Sequence, residues 1–70
     1  MDTAQQALFR DMLNHGWFTD SNGSIYIHRH GDYVRTNTAV LGIEPTMPVR
    51  HAMLTFANRQ AEYTEWADSE

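Results

Sequence analysis

Apolar side chains at Leu8, Phe9, Met12 and Leu13 follow the i, i+1, i+4, i+5 spacing of one helical stripe, which predicts an amphipathic helix over residues 3 to 15. Its ends carry their own signals. Asp2 with Gln5, or Thr3 with Gln6, supplies a capping box, and Gly16 stands where a glycine closes a last helical turn. From Trp17 to Thr38 the period shortens to two, in β-like runs broken by Asn22-Gly23 and His30-Gly31, each a candidate two-residue hairpin turn. Tight turns at both places make Phe18 face Ile27 and Trp17 face His28. They also make Ile27 face Val34, His28 face Tyr33, and Tyr26 face Arg35. One face then carries Phe18, Ile25, Ile27 and Val34, and the opposite face Trp17, Thr19, Tyr26, His28, Tyr33 and Arg35. Arg29 and Asp32 flank the second turn as an opposite-charge pair, worth roughly a few tenths of a kcal/mol when exposed.

Residues 36 to 45 give no clear period. The run Ala39-Val40-Leu41 followed by Gly42 fits either a single helical turn or a buried connector. A second helix is expected from near Thr46, which can cap it, with Pro48 in the first turn, to about Trp66. Val49, Met53, Phe56, Gln60 and Tyr63 form its predicted core stripe, and Leu54 falls almost opposite. Glu65, Asp68 and Glu70 crowd the negative end of the helix dipole, so fraying is expected there. The fold class implied is α+β, in the order α-β-β-β-α. It has an N-terminal helix, a short antiparallel meander of two or three strands and a C-terminal helix, with residues 1-70 forming one small domain.

Composition narrows the functional classes. The chain has 70 residues and no cysteine, which removes disulfides, thiolate metal sites and a cysteine nucleophile together. A chain this short has a thin core, and ordering it costs about 1.5 kcal/mol per residue, so burial supplied by a partner would be valuable. The net charge is −4, and all five basic residues are arginines spaced singly along the chain, which disfavours a nucleic-acid backbone as ligand. The N-terminal residues lack a basic region leading into an apolar run, and no run approaches 18 apolar residues, so the expected location is cytoplasmic, with no membrane contact.

Candidate chemistry is sparse. His28, His30 and Asp32 form an H-x-H-x-D string, but His30 falls in the turn and no second cluster completes a site, so no metal or other cofactor is expected. His15 fits the end of a helix, where its positive form meets the dipole favourably, and His51 near a helix start gains no such benefit. No serine lies in a nucleophile signature, and neither a phosphate loop nor a dinucleotide fingerprint occurs, so no catalytic residue is assigned and an enzyme is not expected.

Aromatic and arginine side chains are enriched at protein-binding hot spots, which makes Trp17, Tyr26, His28, Tyr33 and Arg35 the candidate partner-binding residues. The competing arrangement has a helix over each face of the meander, and these rings then belong to a second small core. Leu54 and Trp66, off the stripe of the last helix, are candidates for self-association as a homodimer through paired last helices. The function expected is a protein-binding module that occupies a surface of a larger protein or complex, as an inhibitor, adaptor or assembly accessory. Small acidic proteins encoded by phages and other mobile elements, including inhibitors of host complexes, share that general character, and an arginine-only basic set fits a bacterial or phage gene of high GC content. The alternative is a small nucleic-acid-binding regulator that gathers enough arginines by acting as a dimer.

Overall fold

Asp2 opens the first helix: its carboxylate accepts the Gln5 N–H at 2.9 Å, giving one half of the capping box. In the computed structural model, which describes residues 1–70, this helix is α1, Thr3–His15. The Gln5 side chain does not complete the box; its amide donates to the Val40 carbonyl at 3.1 Å and ties α1 to the connector after the sheet. Phe9 and Met12 are fully buried, whereas Leu13 is exposed, so the core stripe of α1 is narrower than its apolar spacing suggests. Gly16 closes the helix with its N–H on the Met12 carbonyl and, through its own carbonyl, accepts the His28 N–H, so one residue joins helix to sheet.

Three antiparallel strands follow in sequence order: β1 Trp17–Thr19, β2 Ile25–Arg29 and β3 Asp32–Arg35. The β2–β3 register is the one the sequence predicts, with Ile27 opposite Val34, His28 opposite Tyr33 and Tyr26 opposite Arg35. His30 and Gly31 both take positive φ, 52° and 83°, as a two-residue turn matched to strand twist requires.

The β1–β2 register differs from expectation by one residue: Trp17 faces Ile27, Phe18 faces Tyr26 and Thr19 faces Ile25. The cause is Asp20. Its N–H donates to the Ser24 carbonyl, making Asp20 and Ser24 the closing pair of a three-residue loop in place of a two-residue turn at Asn22-Gly23. Its Oδ1 accepts the N–H groups of Asn22 at 2.9 Å and Ser24 at 3.0 Å. Gly23 sits at φ 81°, a left-handed conformation that favours glycine, and packs beside Val49 and Ala52. A shift of one residue flips side chains between faces. Trp17 therefore points to the core and Phe18 away from it, the reverse of the predicted placement.

Asn37 caps a single 3-10 turn, Thr38–Leu41, which delivers Leu41 at 0% and nearby Ile43 at 5% exposure into the core. The second helix, α2, runs Val49–Asp68 with Pro48 at its N-cap and no side-chain cap. Thr46 does not cap it; it lies in the turn closed by the Met47 N–H on the Glu44 carbonyl. The inward stripe of α2 is Ala52, Phe56, Arg59, Tyr63 and Trp66, while the expected core residues Val49 and Met53 are exposed. The helix extends to Asp68, two residues past the expected end at Trp66, and the Ser69 hydroxyl lies 3.0 Å from the Glu65 and Trp66 carbonyl oxygens.

Both helices pack on one face of the sheet. Phe9 joins them, with its ring 5.9 Å from Phe56 and 5.3 Å from Tyr63, and Trp17 meets Phe56 edge-on at 5.3 Å. Arg29 pairs with Asp11 of α1 at 2.7 Å rather than with Asp32, whose carboxylate accepts the Tyr33 N–H. The result is a two-layer slab of 33 × 30 × 16 Å with seven buried residues. No helix is long and apolar enough to cross a membrane.

A core this small concentrates its stability in a few side chains. Leu41→Ala is expected to cost about 2–5 kcal/mol, and Leu54→Ala, 60% exposed, to stay within about 0.5 kcal/mol. Urea unfolding midpoints of the two variants measure the contrast.

Candidate functional site: the uncovered aromatic face of the sheet

Strand alternation and the two loops place Phe18, Tyr26, His28, Tyr33 and Arg35 on the face away from the helices. Phe18 stacks on Tyr26 at 4.9 Å with 15° between ring planes, and Tyr33 meets Phe18 edge-on at 4.8 Å. His28 lies 5.1 Å from Tyr33. The two Phe–Tyr contacts are each worth about 0.5–1.5 kcal/mol beyond area burial. They hold the rings in place without covering them, since Phe18 remains 43% and Tyr33 50% exposed.

One corner of the face is polar and fixed. The Tyr26 hydroxyl donates to Asp20 Oδ2 at 3.1 Å, and Arg35 stands opposite Tyr26 in register, bringing its positive charge toward the same carboxylate. The Ser24 N–H contributes most to holding the Asp20 carboxyl below its ordinary value. The Tyr26 hydroxyl, the Asn22 N–H and the Arg35 charge add to the effect, and partial desolvation works against it.

Four of the five predicted partner-binding residues, Tyr26, His28, Tyr33 and Arg35, are thus brought together. Trp17 is not: it is half-buried on the other face against Phe56. Phe18 takes its place, and Asp20 anchors the corner; sequence reasoning missed both. The signal was the string Asp20-Ser21-Asn22-Gly23-Ser24, in which an aspartate can satisfy backbone groups two and four residues on. Leu54 and Trp66 do not share a patch. Leu54 is exposed on the outer side of α2, and Trp66, twelve residues on, packs half-buried near Tyr63 at 5.7 Å. His28 and Asp32 lie on opposite faces of their hairpin with His30 in the turn between them, and no three of the His, Asp and Glu side chains group to hold a metal ion.

On the opposite face, an apolar groove of about 260 Å³ opens between β1 and α2, lined by Trp17, Thr19, Ile25, Met53, Phe56 and Ala57 among others. Sequence periodicity gave no hint of it, because Met53 was assigned to the core.

The lowered carboxyl of Asp20 makes a prediction with a definite sign. A folded-state value below the unfolded one means that Asp20 stabilises the fold above the ordinary 3.8 and loses that contribution as pH falls through the folded value. Asp20→Asn is expected to lower the melting temperature at neutral pH, and the gap from wild type should narrow in acid; thermal unfolding followed at several pH values measures it. No protein-family model matches the chain, and no curated protein or solved structure matches it, so the functional reading rests on the geometry of this face.

Proposed function

We propose that this chain is a protein-binding module that acts by occupying a surface of a larger protein, as an inhibitor or adaptor, and that Phe18, Tyr26, His28, Tyr33 and Arg35 make the contact. The observation that carries this is the position of both helices on one side of the sheet, which leaves three touching rings on the other with no layer over them. Burying apolar area yields about 25 cal/mol per Å², and rings already fixed by one another lose little side-chain entropy on docking. Tyr26, with its hydroxyl engaged by Asp20, is a rigid amphipathic anchor of the kind that hot spots favour. The net charge of −4 steers the module toward a basic target surface, an attraction that weakens with salt. Base stacking on these rings is the weaker use of the same face, because Arg35 is its one arginine and strand binding needs several phosphate contacts.

The test is capture of a partner from the native host by wild-type protein and by the double variant Phe18→Ala, Tyr33→Ala. The double variant is expected to keep its far-ultraviolet dichroism and to bind the captured protein more than about tenfold more weakly. Undiminished binding by a folded double variant, or capture of nucleic acid in place of protein, would contradict the proposal.

A further inference from the structure

The two edges of the sheet are treated differently. On β3, Asp32 and Arg35 bracket the strand and the Tyr33 N–H is already taken by the Asp32 carboxylate at 2.8 Å, devices that discourage addition of another strand. On β1 no such guard exists. The Gly16 carbonyl and the Asp20 N–H bond to the β2 side, and Phe18 pairs with Tyr26 between them. By alternation the N–H and C=O groups of Trp17 and Thr19 point away from β2, along the free edge. Trp17, Phe18 and Thr19 carry no charge and include no proline.

The helix above that edge is also asymmetric. Val49, Met53 and Ala57, at i, i+4, i+8, look toward the β1 side, and Gln60 and Thr64 continue the flank, so it carries no charge over four turns. The other flank of α2 carries His51, Glu62 and Glu65. Val49 is 40% and Met53 60% exposed, and Met53 and Ala57 line the groove of about 260 Å³ beside β1. An unguarded strand edge, an uncharged helix flank that is apolar at Val49, Met53 and Ala57, and an open groove with Asp20 among its lining residues therefore lie side by side.

We propose that a second copy of this chain docks here, its β1 pairing antiparallel with the first about a two-fold axis at Phe18, to give a six-stranded sheet with the two α2 flanks meeting above it. The register is self-consistent. With Phe18 opposite Phe18 of the second copy, Trp17 falls opposite Thr19 of the second copy and Thr19 opposite Trp17, so each outward N–H and C=O meets its complement. A one-residue slip would place an outward-pointing residue against an inward-pointing one and lose those bonds. No like charges oppose each other in this register, since Asp20 falls opposite Gly16 of the second copy.

Strand pairing over three residues is too short to suffice, and the helix flanks supply the remaining burial. The accessible surface of 4888 Å² exceeds the value of about 4,500 Å² normal for a folded monomer of 8.1 kDa. A standard interface removes about 800 Å² from each partner, about a sixth of this surface. Met53, flexible and unbranched, has the reach to fill the groove of the other copy. Leu54 and Trp66, the self-association candidates of the sequence, fall outside this interface. The dimer does not rest on the protein-binding role of the aromatic face, although pairing at β1 would join two such faces into one.

Sedimentation over a range of concentrations, with amide exchange on the same samples, tests the proposal. Wild-type protein is expected at twice the 8.1 kDa monomer mass, with the Trp17 and Thr19 amides slowing as concentration rises and the Arg35 amide, on the far edge, unaffected. Met53→Lys, at an exposed position, should keep the fold and weaken dimerisation more than about tenfold by placing a charge in an apolar contact. Thr19→Pro should do the same by removing an outward N–H that β2 does not use, and Val34→Lys on the β3 edge should leave the dimer intact. A wild-type monomer at every concentration would overturn the proposal, as would a dimer that survives both β1-side changes. Should Thr19→Pro fail to fold, wild-type amide exchange and Met53→Lys decide alone. Tyr33→Ala, which removes a ring from the aromatic face only, should leave the dimer unchanged whether or not it abolishes partner capture.

Discussion

The Asp20 carboxylate accepting the backbone N–H groups of Asn22 and Ser24 is the interaction from which the rest of the architecture follows. It makes the first hairpin a three-residue loop, and that loop fixes the parity of β1 against β2. Parity decides which of two adjacent aromatic residues joins the core. With Trp17 inward, the indole reaches Phe56 and the aromatic seam Trp17–Phe56–Phe9–Tyr63 runs from sheet to α2 to α1. With Phe18 outward, its ring completes the cluster with Tyr26 and Tyr33 on the free face. One carboxylate and three small or polar neighbours thereby set both the core and the candidate contact surface.

The economy of the core explains the shape. Seven buried residues in a chain of 70 make one thin core layer, and both helices are already committed to that side of the sheet. A two-layer slab is what a chain of this length builds when its longest helix spends its inward stripe on Ala52, Phe56 and Tyr63. The same economy leaves an uncovered sheet face, an open strand edge and an uncharged helix flank. Each is a place where burial against another chain would add to a thin core.

Much of this was legible in the sequence where local rules act alone. The helix caps at Asp2 and Gly16, the order of elements, and the His30-Gly31 turn with its register follow from short-range patterns that nothing in the tertiary structure opposes. The first hairpin was misread because Asn22-Gly23 is a turn dipeptide in isolation, and only the side-chain bonds of Asp20 convert it into part of a longer loop. The stripe of α2 was misread for a different reason. Val49, Met53 and Phe56 have the right spacing for a core face, but α2 is rotated so that Ala52, Phe56 and Tyr63 face inward and Val49 and Met53 lie on its flank, a rotation that spacing within the helix does not determine. The role of Ala39-Val40-Leu41 as a core plug depends on contacts with α1 and α2, which no local pattern encodes.

Nuclear Overhauser contacts from the rings of Trp17 and Phe18 test the governing register most directly. The Asp20-closed loop predicts contacts of the Trp17 indole with Phe56, and of the Phe18 ring with Tyr26 and Tyr33. Contacts of Phe18 with the helices and of Trp17 with the Tyr33 ring would mean that the first hairpin closes at Asn22-Gly23, and the two faces described above would exchange their aromatic residues.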